Sequence, residues 1–496
     1  MNRRLILWFG VISAAIGLPA RAQEAAEPSP KVILIRPAGE PTPALRYHLV
    51  SDRRDLIPGN AAIFYHRAIE DLIGRSYRER IARLEKKHAL GESGAFEDPV
   101  SSWLGLPLDQ FPKAEVRRHL ESRRFVLSEL EQGTRRETCD WEFQRRDEGF
   151  SLIIEDIQHT RSLGRLIALR IRLNIVEGRI EDAIDGIRMG LTLARHVGGQ
   201  GDNYIQSLVA TAMVDRFAEA LEELVQTPGC PNLYWSLTAL PRPFIDLTSA
   251  TEGEKTILER EFPLLRGIET EVWSLETARA FGDALEERGG MLFQRWPRVQ
   301  SSLALPSVED FRGHGAFLAR IARSYPEAKR ALLAEAITPQ RVEAMPTIQV
   351  VALHSYRAYL VQRDEIFKWM LLPYWQRHAG LSAASSRVFE REASGIPFGS
   401  LLPAFQSVAA ATVRIDRRFA VLRIIEGVRR YADSHDGALP PNLAALSETP
   451  PPNDPATGEP FAYKAEGATA ILTASPPAGF ESIPQYAFHY QLKMAR

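Results

Sequence analysis

The chain has 496 residues, and its 61 Lys and Arg balance 62 Asp and Glu to give a net charge of −1. A chain of this length can form two or three domains, each with a hydrophobic core of its own. Nucleic-acid binding needs a clustered excess of basic residues, which this balance does not provide, so nucleic acid is not an expected partner.

The first 22 residues have the pattern of an export signal. A basic start (MNRRL) precedes an apolar run at residues 6–18, and Ala20 and Ala22 form an A-x-A cleavage site. The run is too short to span a bilayer and is followed by Pro19. We therefore predict a signal peptide at 1–22 and an exported protein, periplasmic or extracellular, with no stable membrane anchor after cleavage.

Two cysteines, Cys139 and Cys230, are the only ones in the chain. An even number in an oxidising compartment fits one disulfide between them. Two separate buried thiols are the alternative, because free cysteine is often buried. Neither cysteine has the C-x-x-C spacing of a zinc or redox site, so we expect no metal and no cofactor.

After the signal, residues 23–43 are rich in Ala, Glu and Pro and predict a flexible leader. Residues 44–394 show helical periodicity without convincing strand alternation, and we predict that this region is all-helical. Its clearest block is 151–227, where three apolar-striped helices follow one another through short glycine-containing turns. We predict stacked antiparallel helical hairpins, arranged as a solenoid or an irregular bundle.

The segment 178–195 within this block resembles the second half of a tetratricopeptide repeat. Gly178 matches the turn glycine, Ala183 the small position packed on the first helix, and Gly190 the later small position. The chain departs from the motif at Ile171, where a small residue is preferred, and shows no plain second copy at 34-residue spacing. The resemblance implies a helical hairpin with a concave face for peptides or partner proteins, whereas an ordinary helical bundle remains the alternative.

A long apolar-striped helix starts near Arg414, and turn and strand motifs follow it. This segment, 414–475, resembles the globular domain of type II secretion pseudopilins, and the matching positions are Tyr431, Gly437, Pro440, Leu443, Leu446, Asp454, Pro455, Gly458, Pro460 and Tyr463. Pseudopilins carry this helix at their N-terminus, so the resemblance implies only a small α+β module and not filament assembly. We therefore predict a long helix and a small sheet within 395–496, and no metal site in the last loop.

The chain lacks the motifs HExxH, G-x-S-x-G and G-x-x-x-x-G-K-[ST], and it has no G-x-G-x-x-G in a strand-turn-helix setting. The sequence therefore nominates no catalytic residue and favours a binding protein over an enzyme. Two distant carboxylates can hydrolyse a glycoside without leaving a local motif, so hydrolysis stays open.

Together these features predict a mainly α protein with a small C-terminal α+β module. The first functional hypothesis is an exported helical scaffold or interaction protein of the cell envelope, whose partner is another envelope protein. The alternative is an envelope hydrolase of polysaccharide or peptidoglycan. The sequence specifies neither the partner nor the oligomeric state.

Overall fold

The fold is mainly helical with a small C-terminal sheet, which confirms the predicted fold class. The computed structural model describes residues 30–90, 99–141, 149–199, 203–293, 314–335, 337–391, 395–402, 405–481, 483 and 486–495. The predicted signal peptide at 1–22 lies outside the described residues.

Sixteen α-helices occur in the described residues. In chain order they are α1 (Ala62–Leu90), α2 (Pro99–Gly105), α3 (Lys113–Glu121), α4 (Arg124–Thr134), α5 (Gly149–Val176), α6 (Ile180–Gly198), α7 (Tyr204–Leu224), α8 (Tyr234–Thr238), α9 (Thr248–Lys255), α10 (Ile257–Glu261), α11 (Leu275–Phe293), α12 (His314–Ala334), α13 (Pro339–Ala344), α14 (Thr347–Met370), α15 (Tyr374–Arg391) and α16 (Phe405–Ser434).

The strands of the described residues form one four-stranded sheet and one short pair. They are β1 (Lys31–Ile35), β2 (Ile57–Asn60), β3 (Arg136–Thr138), β4 (Ala462–Glu466), β5 (Thr469–Ala474) and β6 (Phe488–Met494). The larger sheet has the order β1-β6-β5-β4, in which β1 runs parallel to β6 and the other pairs are antiparallel. Strands β2 and β3 pair in parallel.

Strand β1 falls inside the segment 23–43, which the sequence predicted to be a flexible leader. Residues 23–29 lie outside the described part, but Lys31–Ile35 is a strand with Ile33 and Ile35 fully buried. Its pairing partner is the last strand of the chain, β6. Composition alone does not predict this strand, because the strand is stabilised by pairing with a segment more than 450 residues away in the sequence.

The described residues group into two compact units, Met1–Ala250 with Ala410–Arg496, and Thr251–Ala409. The region 44–394, predicted to be all-helical, contains the strand pair β2–β3, and its first part shares a unit with the C-terminal module. The helix expected to begin the module near Arg414 begins at Phe405.

Helix α6 packs closely against both of its neighbours in the three-helix block. A Cβ at Gly190 would lie 2.7 Å from the ring of Phe217 in α7, and one at Gly186 would lie 2.7 Å from Ile171 in α5. Ile171 is the position where the repeat motif prefers a small residue, and here the small partner sits on α6 instead. Ala183 is fully buried. Membership of a repeat family stays a prediction.

Helix α16 carries several buried arginines that bind the rest of the first unit. Arg417 is fully buried and its guanidinium pairs with both carboxylate oxygens of Asp454 at 2.8 Å. It also donates to the carbonyls of Ser475 and Tyr486. Asp454, a match to the pseudopilin motif, therefore anchors its loop to α16 through an arginine.

Arg418 forms the second link, from α16 to α7. It donates to both oxygens of Glu222 at 3.0 and 3.1 Å and to Asp215 at 2.6 Å. Glu222 also accepts hydrogen bonds from Lys31 of β1 and from the Tyr490 hydroxyl of β6, at 2.8 Å for the latter. One buried carboxylate thus joins two strands and two helices.

Arg429 forms the third link, and it binds the main chain at Cys230. It pairs with Glu426 at 2.7 Å and donates to the carbonyls of Cys230, Pro231 and Arg36. These bonds hold the segment after α7 and the residue following β1 against α16.

Cys139 and Cys230 are both buried free thiols. In place of the predicted disulfide, the structure has the alternative of two separate buried cysteines. Burial raises the pKa of the Cys230 thiol to about 12 and raises that of Cys139 as well, so both thiols stay protonated at neutral pH.

We expect Gly190→Ala to destabilise the protein by about 1–3 kcal/mol, because the added methyl group would overlap the Phe217 ring. Gly74→Ala is the matched control, since a Cβ there meets no atom within 4 Å and alanine favours a helix by about 1 kcal/mol over glycine. Urea unfolding measures both. Equal stability of the two variants would show that α6 and α7 are not packed this closely.

We expect Glu222→Gln to lose about 3–5 kcal/mol of stability at pH 7, because Arg418 and Lys31 lose their shared anion in a buried site. Burial by itself would raise the pKa of Glu222, but Arg418 and Lys31 lower it from 4.5 to about 2. Since the folded pKa lies below the unfolded one, this stabilisation is complete above about pH 4.5 and is lost as the pH falls towards 2.

The variant should therefore show a flatter decline of stability than wild type between pH 5 and pH 3 in urea unfolding. Glu219→Gln is the control, because Glu219 lies on the same helix but is half exposed and 3.9 Å from Arg418. Equal effects of the two substitutions would contradict the assigned role of Glu222.

Candidate functional site

A groove of about 390 Å³ opens on the first unit beside the three-helix block. It lies between the C-terminal ends of α5 and α7 and the loop that precedes α3. Its lining residues are Leu108, Asp109, Lys113, Ile175, Val176, Glu223, Gln226, Thr227 and Pro228.

One buried arginine builds the groove by fixing the loop between α2 and α3. Arg172 of α5 pairs with both carboxylate oxygens of Glu223 at 2.9 Å. The same guanidinium donates to the carbonyls of Trp103 and Leu104 at 3.1 Å and of Leu106 at 2.6 Å. Only the planar fork of arginine provides this many donors, so Arg172 holds the loop, α5 and α7 in one arrangement.

Gln226 fixes the opposite wall to the sheet. Its side-chain oxygen accepts from the amide of Leu34 at 3.0 Å, and its side-chain amide donates to the carbonyl of Glu222 at 2.7 Å. Its main-chain carbonyl accepts from Arg36 at 2.7 Å. The wall is therefore tied to β1 and to the Glu222 cluster described above.

The groove offers both an apolar surface and polar groups to a bound molecule. Ile175, Val176 and Pro228 supply apolar contacts, whereas Asp109 and Lys113 lie at its exposed rim. The ends of two helices bring main-chain carbonyl groups towards it, and Lys113 already donates to that of Val176 at 3.2 Å. Such a surface suits an extended peptide, which has amide donors and apolar side chains.

The predicted packing residues Gly178, Ala183 and Gly190 do not line the groove. Helix α5 ends at Val176, and Gly178, two residues later, has a φ of +72°. The turn is closed by the amide of Arg179, which donates to the carbonyl of Asn174 at 2.9 Å. Ala183 and Gly190 lie within the block. The two cysteines do not line the groove either.

Sequence reasoning missed Arg172 and Glu223, the residues that build the groove. A usable signal was present, because Arg172 is the only charged residue of the run 171–176, IRLNIV, in which apolar residues occupy more than one face of the helix. A charged residue in a helix that is apolar on several faces is rarely buried without a partner.

A second polar cluster, in the second unit, bears on the hydrolase alternative. The Tyr356 hydroxyl donates to Glu259 Oε1 at 2.7 Å, and Arg363 lies 3.7 Å from the same oxygen. Tyr359 is buried beside them, and neither its hydroxyl nor Glu259 Oε2 has a hydrogen-bond partner among the described residues. Burial raises the pKa of both tyrosines. Glu254 and Glu269 also act electrostatically on Tyr359 and Tyr356, and the hydrogen bond that defines the cluster joins Glu259 to a tyrosine and not to a second acid.

His196, a partly buried histidine of the first unit, lies beside Tyr65, whose ring also stacks on Trp141. The Tyr65 hydroxyl is 2.7 Å from His196 Nδ1, and the Trp141 indole donates to the His196 carbonyl at 2.9 Å. Burial lowers the pKa of His196 to about 4, so the ring is neutral at physiological pH. We interpret this histidine as part of the core.

The part of the chain that the structure describes contains no group of three or more metal-ligating side chains. None of its helices combines the length and the apolar character needed to cross a bilayer. Comparison of the chain with family models, curated proteins and solved structures gave no match.

We expect Arg172→Lys to loosen the loop before α3, because lysine cannot make the fork to Glu223 and bind three carbonyls at once. Hydrogen exchange of residues 103–111 should rise, and stability should fall by about 1–3 kcal/mol. Arg170→Lys, at an exposed pair with Glu131, is the control. Unchanged exchange in Arg172→Lys would show that another contact holds the loop.

Proposed function

We propose that this protein is an exported helical binding protein of the cell envelope, and that its groove takes an extended segment of a partner envelope protein. The observation that carries the proposal is the groove beside the three-helix block, with its apolar wall and charged rim. The export signal expected at residues 1–22 is the reason for placing the partner in the envelope.

The rigidity of the groove supports a binding role. Arg172 and Gln226 fix its two walls through side chains that are already fully engaged. A site held in one arrangement before binding loses less entropy when a ligand arrives. The small size of the groove fits a few residues of extended peptide better than a folded domain.

The use of buried carboxylates favours binding over hydrolysis. Glu222 and Asp454, which are buried, and Asp215, which is partly exposed, each pair with an arginine of α16. Glu177 pairs with both Arg117 and Arg179. A carboxylate held as an ion-pair anion is poorly suited to act as the protonated general acid of a glycosidase.

The experiment is selection of binders from a random 12-residue peptide display library on the chain without residues 1–22. We expect enriched peptides whose binding falls at least about tenfold in Val176→Glu, because this change puts a charge into the apolar wall. Ile63→Glu is the control, since Ile63 is an exposed apolar residue of α1 in the same unit.

Two results would contradict the proposal. One is the absence of any enriched peptide. The other is a set of peptides that bind Val176→Glu as tightly as wild type, which would place the binding surface elsewhere on the protein.

A further inference from the structure

The turn that joins α14 to α15 in the second unit exposes an unusually apolar tip. Leu371 is 76% exposed, Trp375 is 47% exposed and Leu372 is 36% exposed. Three large apolar side chains within five residues expose more surface than the scattered single residues that are normal on a protein.

The sequence around this turn is free of charge. Residues 369–376 read WMLLPYWQ, in a chain in which a quarter of the residues are charged. The residues that border this stretch, Lys368 and Arg377, are both basic. The nearest acidic residue, Glu365, lies three positions before Lys368 and is paired with it at 2.7 Å.

The tip is held firmly by the residues beneath it. Gly380 of α15 lies so close to Trp369 that a Cβ there would overlap the indole ring. Tyr374 is buried, and the Arg377 guanidinium lies 5.5 Å from the centre of its ring. The exposed leucines are thus displayed by packed helix ends, and their exposure is a property of the fold.

We propose that this tip, residues 369–376, docks on the surface of a phospholipid bilayer that contains anionic lipids. The tip is a turn that presents side chains outward, which suits insertion between headgroups. Leucine side chains partition into the acyl boundary, and tryptophan favours the level of the headgroups. Lys368, 51% exposed, and Arg387, 56% exposed, share one carboxylate, Glu365, so this end of the two helices keeps a net positive charge for anionic headgroups.

This contact would be reversible and peripheral, since one apolar tip gives far weaker membrane binding than a spanning helix. It is independent of the peptide groove, because the groove belongs to the first unit and the tip to the second. Either proposal can therefore fail without the other.

The test is co-sedimentation of the chain without residues 1–22 with phosphatidylcholine vesicles that contain phosphatidylglycerol, and with vesicles of phosphatidylcholine alone. We expect binding to the anionic vesicles and about a tenfold loss in Leu371→Asp. Leu275→Asp is the matched control, because Leu275 is 73% exposed in the same unit and should bind as wild type. Circular dichroism checks that both variants are folded.

A second readout locates the tip itself. Vesicles with brominated acyl chains should quench tryptophan fluorescence, and Trp375→Phe should reduce that quenching while leaving sedimentation largely intact. Three results would overturn the proposal: no sedimentation of wild type, equal losses in Leu371→Asp and Leu275→Asp, or a dimer in light scattering that Leu371→Asp dissociates. The last would assign the tip to contact with a second copy of the chain.

Discussion

The first unit depends on the ion pairs and hydrogen bonds by which three buried arginines of α16 reach other elements. Arg417, Arg418 and Arg429 are buried, and each reaches a carboxylate as well as other partners on different parts of the chain. Charges taken out of water cost several kcal/mol each unless they are paired and hydrogen-bonded. Because alternative arrangements would separate Arg417 from Asp454 and Arg418 from Glu222, these two pairs favour one way of assembling the sheet and the helices.

This constraint also positions the candidate binding groove. Glu222 is a partner of Arg418, and the next residue, Glu223, faces the groove and pairs with Arg172. Gln226, one turn further on, binds β1 and lines the groove. The last turn of α7 therefore joins the buried ion pairs on one side to the groove on the other, so the shape of the groove depends on how α16 holds α7.

The helices could be predicted from the sequence because the spacing of apolar residues that marks a helix lies within a short segment of the chain. The turn at Gly178 and the burial of Ala183 follow from the same local pattern. Strand β1 and the arginine pairs could not be predicted, since each joins residues that are distant in the chain. Lys31 and Glu222 show the difficulty, because they are separated by 191 positions. The groove was missed for the same reason, as it needs three separate segments.

Hydrogen exchange of Arg418→Met tests most directly whether α16 controls the groove. The account predicts faster exchange than in wild type at residues 31–35 and 222–226 together, although neither segment contains the substitution. Arg414→Met removes a bond to Asp215 and a contact with the Tyr486 ring but none with Glu222, and it should leave both segments unchanged. Faster exchange confined to the turns of α16 around residue 418 would contradict the account, because α7 and β1 would then keep their positions without this arginine.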